Sequence, residues 1–376
     1  MSGLYIHIPY CKQKCIYCDF YSSATRESKE SYIKALTKEI SLRKDYLDKP
    51  LRTIYFGGGT PSTLSKEEIS LIFNAIKDNF DLSLLEETTF EANPEHLNKD
   101  YLDFLISTPI NRLSLGTQSF DDNDLKTLGR KHSSLESIEV IRNAQKIGFY
   151  NISIDLMFNL PSMSLEKWKA NLFKAMDLNI QHISAYSLSV EEGTMLDKLI
   201  SKKRLNIPSE TEQLEQFNYA IDFLESNGFE HYETSNYAAK GFRSLHNSNY
   251  WNNTPYLGVG ASAHSFNGKE RRWNISSIDN YSSILNSNSK EDYFEKEILS
   301  EKDFYNEYIM VGIRTKEGLD KNFVERNFSE TFSKEFNKTI ESLLNRNLVE
   351  KSSQNIFTLT RKAIEISNQI ALELIA

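Results

Sequence analysis

Cys11, Cys15 and Cys18 lie close together near the start of the chain, and the other 373 of its 376 residues contain no further cysteine. An odd, clustered set of this kind is not a disulfide framework. Thiolates are soft ligands that suit iron–sulfur clusters, zinc and Cu(I). In the spacing C-x3-C-x2-C, three thiolates on one tight loop can hold three irons of a [4Fe–4S] cubane. The fourth iron then stays open to chelation by the amino and carboxylate groups of a small molecule. An electron passed from such a cluster into a sulfonium breaks a C–S bond; that chemistry belongs to the cofactors, while the protein supplies ligands and position. Zinc is the alternative. It would need a fourth protein ligand such as His7, which falls in the expected first strand, four residues before Cys11.

The elements that must position these thiolates alternate along the first half of the chain. Short β-type runs at Leu4–Ile8, Arg52–Phe56, Thr88–Ala92, Arg112–Gly116, Asn151–Leu156 and His182–Leu188 are separated by amphipathic stretches near 27–46, 65–79, 98–107, 121–128, 134–147 and 164–178. Ser65 and Ser134 read as helix N-caps, the latter without a capping box, and Gly148 as a helix stop. Strands separated by helices imply a parallel sheet with right-handed crossovers. Six such units fall short of the eight of a closed barrel, so the expected α/β fold is an open, partial (β/α)6 TIM-like barrel. Ligands bind at the C-terminal ends of strands in such sheets. There the sequence places Gly57–Gly59, Glu91, Gln118 and Asp155, with Arg130 in a following loop. Their side chains suit an amino-acid head, a ribose and an adenine.

The barrel is expected over 1–228, ending with a helix near 209–227. Residues 229–300, rich in Asn, Ser, Tyr and Gly, read as a connecting segment of loops and short strands with a helix at 276–286. Over 301–376, helices at Phe304–Ile313 and Phe332–Arg346, strands at Leu348–Glu350 and Ile356–Leu359, and a helix near 360–375 suggest an α+β winged-helix-like domain. The net charge of −8 leaves no electrostatic footprint for nucleic acid. No apolar run approaches the length of a membrane span, about 18 residues. Met1–Pro9 carries no secretory pattern, so the expected location is the cytoplasm.

The cysteine segment, with Tyr17 just before the third cysteine, resembles the signature of the radical S-adenosylmethionine superfamily. The resemblance narrows to the oxygen-independent coproporphyrinogen III oxidase family through Tyr-Ile-His-Ile-Pro (5–9), Phe-Gly-Gly-Gly-Thr-Pro (56–61), Phe-Glu-Ala-Asn-Pro (90–94), Ser-Leu-Gly-Thr-Gln-Ser (114–119), Leu-Gly-Arg-Lys-His (128–132) and Ile-Asp-Leu-Met (154–157). It covers nearly the whole chain. It implies a [4Fe–4S] cluster on Cys11, Cys15 and Cys18. It also implies S-adenosylmethionine contacts from Tyr5, Tyr17, Gly58, Gly59, Thr60, Glu91, Gln118, Arg130 and Asp155.

That family has two branches. One decarboxylates two propionates of coproporphyrinogen III; the other binds haem and passes it to an apo-haemoprotein. The oxidase branch carries a fourth cysteine two residues after the third, and here that position is Phe20. His246-Asn-Ser-Asn-Tyr-Trp251 resembles the H-N-x-x-Y-W motif of the chaperone branch. The chain also reaches its first strand almost at once, without the extension that accompanies the oxidase site. The expectation is therefore a haem chaperone, with the decarboxylase as the alternative, so enzymatic activity is left open and no catalytic residue is assigned. His246 becomes the candidate haem-iron ligand, since neutral imidazole is a common axial ligand. Tyr250 and Trp251 are candidates for stacking on the macrocycle. His231 and His264 are secondary ligand candidates, and Arg243, Arg271 and Arg272 are candidates for pairing with propionates. Expected partners are haem or a porphyrin, an apo-haemoprotein recipient and, through the C-terminal domain, a membrane periphery.

Overall fold

A computed structural model describes residues 2–19, 21–24, 28–287 and 291–376. Phe20, on which the branch distinction partly rests, lies outside the described residues. Fifteen strands occur among those described: β1 (Ser2–Ile8), β2 (Leu51–Gly58), β3 (Glu87–Ala92), β4 (Arg112–Gln118), β5 (Asn151–Phe158), β6 (His182–Ser187), β7 (Phe229–Glu233), β8 (Asn236–Ala239), β9 (Tyr256–Val259), β10 (His264–Phe266), β11 (Glu270–Asn274), β12 (Phe294–Ile298), β13 (Leu319–Asp320), β14 (Val349–Ser353) and β15 (Ile356–Leu359). The first twelve form one sheet in the order β12-β11-β10-β9-β1-β2-β3-β4-β5-β6-β8-β7. The strands from β9 through β6 all pair in parallel. The ends β12 and β7 are not paired to each other, so the barrel is open, as its six βα units imply.

Each parallel strand is buried on both faces, which is why it reads as a near-continuous apolar run. In β1, Leu4, Ile6 and Ile8 are fully buried in the main apolar core, alongside Tyr32, Leu36 and Ile40 of the helix Lys29–Leu42. The alternate residues Gly3, Tyr5 and His7 point into the barrel. That inner face is polar from strand to strand: Thr53 and Tyr55, Glu87 and Glu91, Arg112 and Ser114, Ser153 and Asp155, His182 and Ser184.

Helix starts follow local chemistry. Ser65 and Glu68 form a reciprocal capping box, as do Ser209 and Glu212. The helix Ser134–Ile147 is capped one residue earlier than expected: Ser133, not Ser134, accepts from the Glu136 amide, and Glu136 returns the bond. The capping box that Ser134 lacks is thus present at its neighbour.

Residues 229–300, read from sequence as a connecting segment, instead extend the sheet at both edges. The hairpin β7–β8 joins β6, and β9 adds a seventh parallel strand beside β1. Beyond them, Tyr305, Ile309, Phe336, Ile340, Leu343 and Phe357 gather in a second apolar cluster. Around it lie the sheet β13-β15-β14 and the helices Glu301–Gly312, Lys321–Asn327, Glu330–Asn345 and Ser367–Leu374. The helix–hairpin–helix order is that of a winged-helix-like unit. Among the described residues no helix is long and apolar enough to cross a membrane.

Candidate functional site

The cysteine loop leaves β1 and lies over the C-terminal ends of the strands. Its backbone is tied down on three sides. Cys11 N donates to Ser23 O (2.9 Å), Ile16 N donates to Leu128 O (3.4 Å), and Ile16 O accepts from Leu196 N (2.9 Å). None of the three cysteines is in a disulfide; all are partly exposed and line one cavity of about 700 Å³. Two side chains donate hydrogen bonds to their sulfurs: Thr60 Oγ1 to Cys11 Sγ and Arg130 Nη1 to Cys15 Sγ, each at 3.4 Å. Donors aimed at sulfur favour thiolate and stabilise the negative charge of a sulfur-ligated cluster.

A single zinc ion would need four ligands converging at about 2–2.3 Å from one point. Among the described residues no three His, Cys, Asp or Glu side chains are so arranged. His7 is engaged elsewhere, with Nδ1 3.1 Å from Tyr5 Oη and Nε2 3.3 Å from Tyr21 O; burial lowers its pKa to about 4. Thiolates facing one cavity without converging on a point suit a cubane, in which each binds a different iron.

Beneath the loop the strand ends supply the cavity wall. Gly58 takes φ +111°, and a Cβ there would come within 2.7 Å of the His7 ring. At Gly59 a Cβ would meet Ile8 O and the Tyr10 backbone at 3.0 Å. These glycines are thus required by the close approach of β1 and its loop to β2, as well as lining the cavity. Gln118 follows a bulge in β4 and sits at φ +65°, an uncommon non-glycine conformation that turns the strand end at the cavity wall. Arg130 follows Gly129, the left-handed cap of the helix Asp122–Leu128. Arg130 Nη2 donates to Asn93 Oδ1 (2.7 Å) and Gly116 O (2.8 Å), while its buried Nε has no protein partner.

Two carboxylates, Glu91 and Asp155, line the cavity floor. Burial pushes Glu91 up to about 7, and the Asp155 charge adds to it, against a 2.6 Å hydrogen bond donated by Tyr55 Oη. Burial raises Asp155 to about 6, opposed by Ser184, Arg112 and Arg130. Tyr17 lines the same cavity, its phenol held neutral chiefly by burial. An ammonium head finds carboxylates here, and a ligand carboxylate or ribose finds the orphan Arg130 N–H and backbone amides. The donor set therefore fits a zwitterionic, cationic amino-acid ligand beside the cluster loop.

Of the residues singled out from sequence, Cys11, Cys15, Cys18, Tyr17, Gly58, Gly59, Thr60, Glu91, Gln118, Arg130 and Asp155 share this cavity. Tyr5 does not line it. It lies deeper, its ring stacked near Tyr55 and His246 at centroid distances of 6.1 and 6.4 Å. Sequence reasoning missed Asn93, which holds Arg130, along with Tyr55, Ser114 and the Tyr186 ring on the cavity wall. Part of their signal was available: Tyr55 shares a face of β2 with Gly57, and Ser114 opens the Ser-Leu-Gly-Thr-Gln-Ser segment that ends at the site.

The expectation that His246 ligates haem iron does not fit its placement. His246 is fully buried in the helix Leu245–Trp251, which closes the barrel at the opposite, N-terminal end of the strands. Nδ1 lies 2.8 Å from Thr53 Oγ1 and Nε2 lies 3.0 Å from Tyr250 Oη, so both ring nitrogens are engaged. Its ring stacks on Tyr55 at 5.0 Å, and burial depresses its pKa to about 3. Tyr250 and Trp251 remain half-buried at that end. His231 stacks on Tyr237 and bonds Thr234 O, and His264 stacks beside Trp273. Arg243 is paired with Glu230 and Glu317, Arg271 with Glu307, and Arg272 lies over the Phe294 ring.

A parallel partial barrel with a three-cysteine loop over a polar, carboxylate-floored cavity defines a radical S-adenosylmethionine protein. The Radical SAM superfamily model matches residues 5–174, and the HemN C-terminal domain model matches 299–366. "Heme chaperone HemW" of Lactococcus lactis is 35% identical over 370 residues, 98% of this chain and 96% of that protein. The protein of the same name in Bacillus subtilis is 32% identical, covering 98% of each chain. The solved coproporphyrinogen III oxidase (HemN) from Escherichia coli shares the fold at a TM-score of 0.85 and 22% identity, over 100% of this chain and 90% of that one. The chain belongs to the HemW family of radical S-adenosylmethionine proteins.

Proposed function

We propose that this protein is a haem chaperone that carries a [4Fe–4S] cluster on Cys11, Cys15 and Cys18, binds S-adenosylmethionine in the adjoining cavity, and passes haem to an apo-haemoprotein. The observation that carries the cofactor reading is the single cavity shared by the three cysteines, two side chains donating to their sulfurs, and the Glu91–Asp155 floor. The chaperone reading rests on identity to HemW-named relatives along nearly the full chain. When bound together, a cluster and a sulfonium supply one-electron chemistry. The chain's own residues do the rest. Thr60 and Arg130 polarise the thiolates, the floor carboxylates hold an ammonium, and the closed barrel base keeps water from entering beneath.

The test is haem titration of anaerobically reconstituted protein. A saturable Soret shift, followed by haem delivery to an added apo-haemoprotein, is the expected result. Conversion of coproporphyrinogen III to protoporphyrinogen would assign the decarboxylase instead. Absence of both haem binding and turnover would overturn the reading.

A further inference from the structure

Arg112 is 1% exposed on the inward face of β4. It stands one pleat beneath Ser114, a cavity-lining residue, and is in register with Thr89 on β3 and Asn151 on β5. Its Nε and Nη1 have no hydrogen-bond partner. A guanidinium stays charged at any working pH, and its burial without partners is costly unless opposite charge lies near. Arg112 opposes protonation of Glu91 and Asp155 above it and of Tyr55 beside it. It does the same for His182, Tyr232 and His246 towards the barrel base.

Two carboxylates in one low-dielectric floor repel, and without a counter-charge one of them takes up a proton. Glu91 is faced by Tyr5, Tyr55, Asp155, Tyr186 and Tyr250 as well as Arg112. The phenols are all raised by burial, so only Asp155 among these groups changes charge in the neutral range. Arg130 also opposes protonation of Asp155, but it is engaged with Asn93, Gly116 O and Cys15. Arg130 keeps only Nε unpaired, whereas Arg112 keeps both Nε and Nη1 unpaired.

We propose that Arg112 is a positioning residue of this site: from beneath the floor it supplies the counter-charge that lets Glu91 and Asp155 be ionised together, so that the floor selects a cationic ligand head. This rests on reading the cavity as the S-adenosylmethionine site. That ligand carries a sulfonium and an ammonium against one carboxylate; S-adenosylhomocysteine, its thioether counterpart, lacks the sulfonium charge.

The experiment is equilibrium binding of both compounds to the reconstituted protein between pH 5.5 and 8.5, for wild type, Arg112→Met, Arg112→Gln and Arg112→Lys. In wild type, S-adenosylmethionine affinity falls as pH drops through about 7. In the Met and Gln variants that midpoint moves up by about one pH unit, with binding at pH 7 weaker on the order of tenfold. Preference over S-adenosylhomocysteine shrinks in the same two variants, and Arg112→Lys keeps the wild-type profile. A folded Met or Gln variant with an unshifted midpoint overturns the proposal, as does a Lys variant that shifts as far as Met. Failure of both neutral variants to fold, with Lys folded and wild-type in profile, would assign Arg112 to barrel stability and also overturn it. Wild type that binds neither compound would sink the cavity reading itself, a distinguishable result.

Discussion

The two ends of the barrel hold the same kinds of side chain and put them to different use. At the C-terminal end, Glu91, Asp155, Tyr186, Arg130 and three cysteines surround open space, and Arg130 Nε still lacks a partner. At the N-terminal end, Glu87 accepts the amides of Leu245 and His246, and His182 spans Ser153 and Tyr232. His246 spans Thr53 and Tyr250, and Asn249 donates to Thr53. Histidines, glutamates and tyrosines therefore do not mark a site by type. What separates a site from a plug is whether their hydrogen bonds are already spent within the protein.

The sharpest way to break this contrast is at the open end. Cys15→Ser removes one of three soft donors and leaves the Arg130 donor aimed at a hydroxyl. Anaerobically reconstituted Cys15→Ser should lose essentially all cluster iron and sulfide and the absorbance near 400 nm that such clusters show. Stoichiometric iron and sulfide in that variant would remove the basis for the cavity assignment. Folding should change little, because the loop is held by backbone bonds from Cys11, Ile16 and Leu196.

At the closed end, His246→Ala deletes a fully buried ring and strands Thr53 and Tyr250. Urea unfolding should show a loss of about 2–4 kcal/mol. Acid sensitivity checks the same idea. His246, at about 3, and His182, well below its usual value, are neutral when folded but charge near 6.5 when unfolded. Stability is therefore full above about 6.5 and is lost as pH falls below it. His246→Ala should flatten part of that slope. A variant that unfolds like wild type yet no longer binds haem would instead make the base a ligand site and dissolve the contrast.

How much of this was legible in the sequence depended on whether the signal was local. The alternation of apolar runs and amphipathic stretches located all six strands from β1 to β6, because each is buried on both faces. Ser65 was readable as a cap, while Ser133 was missed for its neighbour because adjacent serines carry the same cap chemistry. The strand ends were readable because Gly57–Gly59, Glu91, Gln118 and Asp155 follow apolar runs directly. The parallel strand β9 was not readable: four residues, Tyr256–Val259, find their place only by docking on β1 more than 240 positions away. His246 misled for a related reason. Its motif is compact in sequence, but its partners Thr53, Tyr5 and Tyr55 come from the first two strands, and only the fold brings them around the ring.

Gly58→Ala tests whether the open end depends on close backbone approach. The residue is at φ +111°, and an alanine methyl there would sit 2.7 Å from the His7 ring. The substitution should cost about 2 kcal/mol in thermal or urea unfolding, from left-handed strain and displacement of His7. It should also weaken S-adenosylmethionine binding by shifting the wall against the cysteine loop. Unchanged stability would mean that β1 and β2 can part without penalty.

The subtlest test sets the two ends against each other through pH. Glu91, raised to about 7, titrates in the sense opposite to the base histidines. A carboxyl whose folded value exceeds its unfolded value near 4.5 contributes stability below about 4.5, and that contribution disappears as pH rises through 7. Glu91→Gln keeps an acceptor for Tyr55 and removes the charge. In ligand-free protein the variant should therefore be more stable than wild type at pH 8, on the order of 1–2 kcal/mol, and no more stable at pH 5. The same variant should bind S-adenosylmethionine more weakly, since the charge that destabilises the ligand-free floor is the one proposed to receive the ammonium. A gain in stability of equal size at both pH values would show that Glu91 is protonated throughout, and the floor would then be as electrically spent as the base.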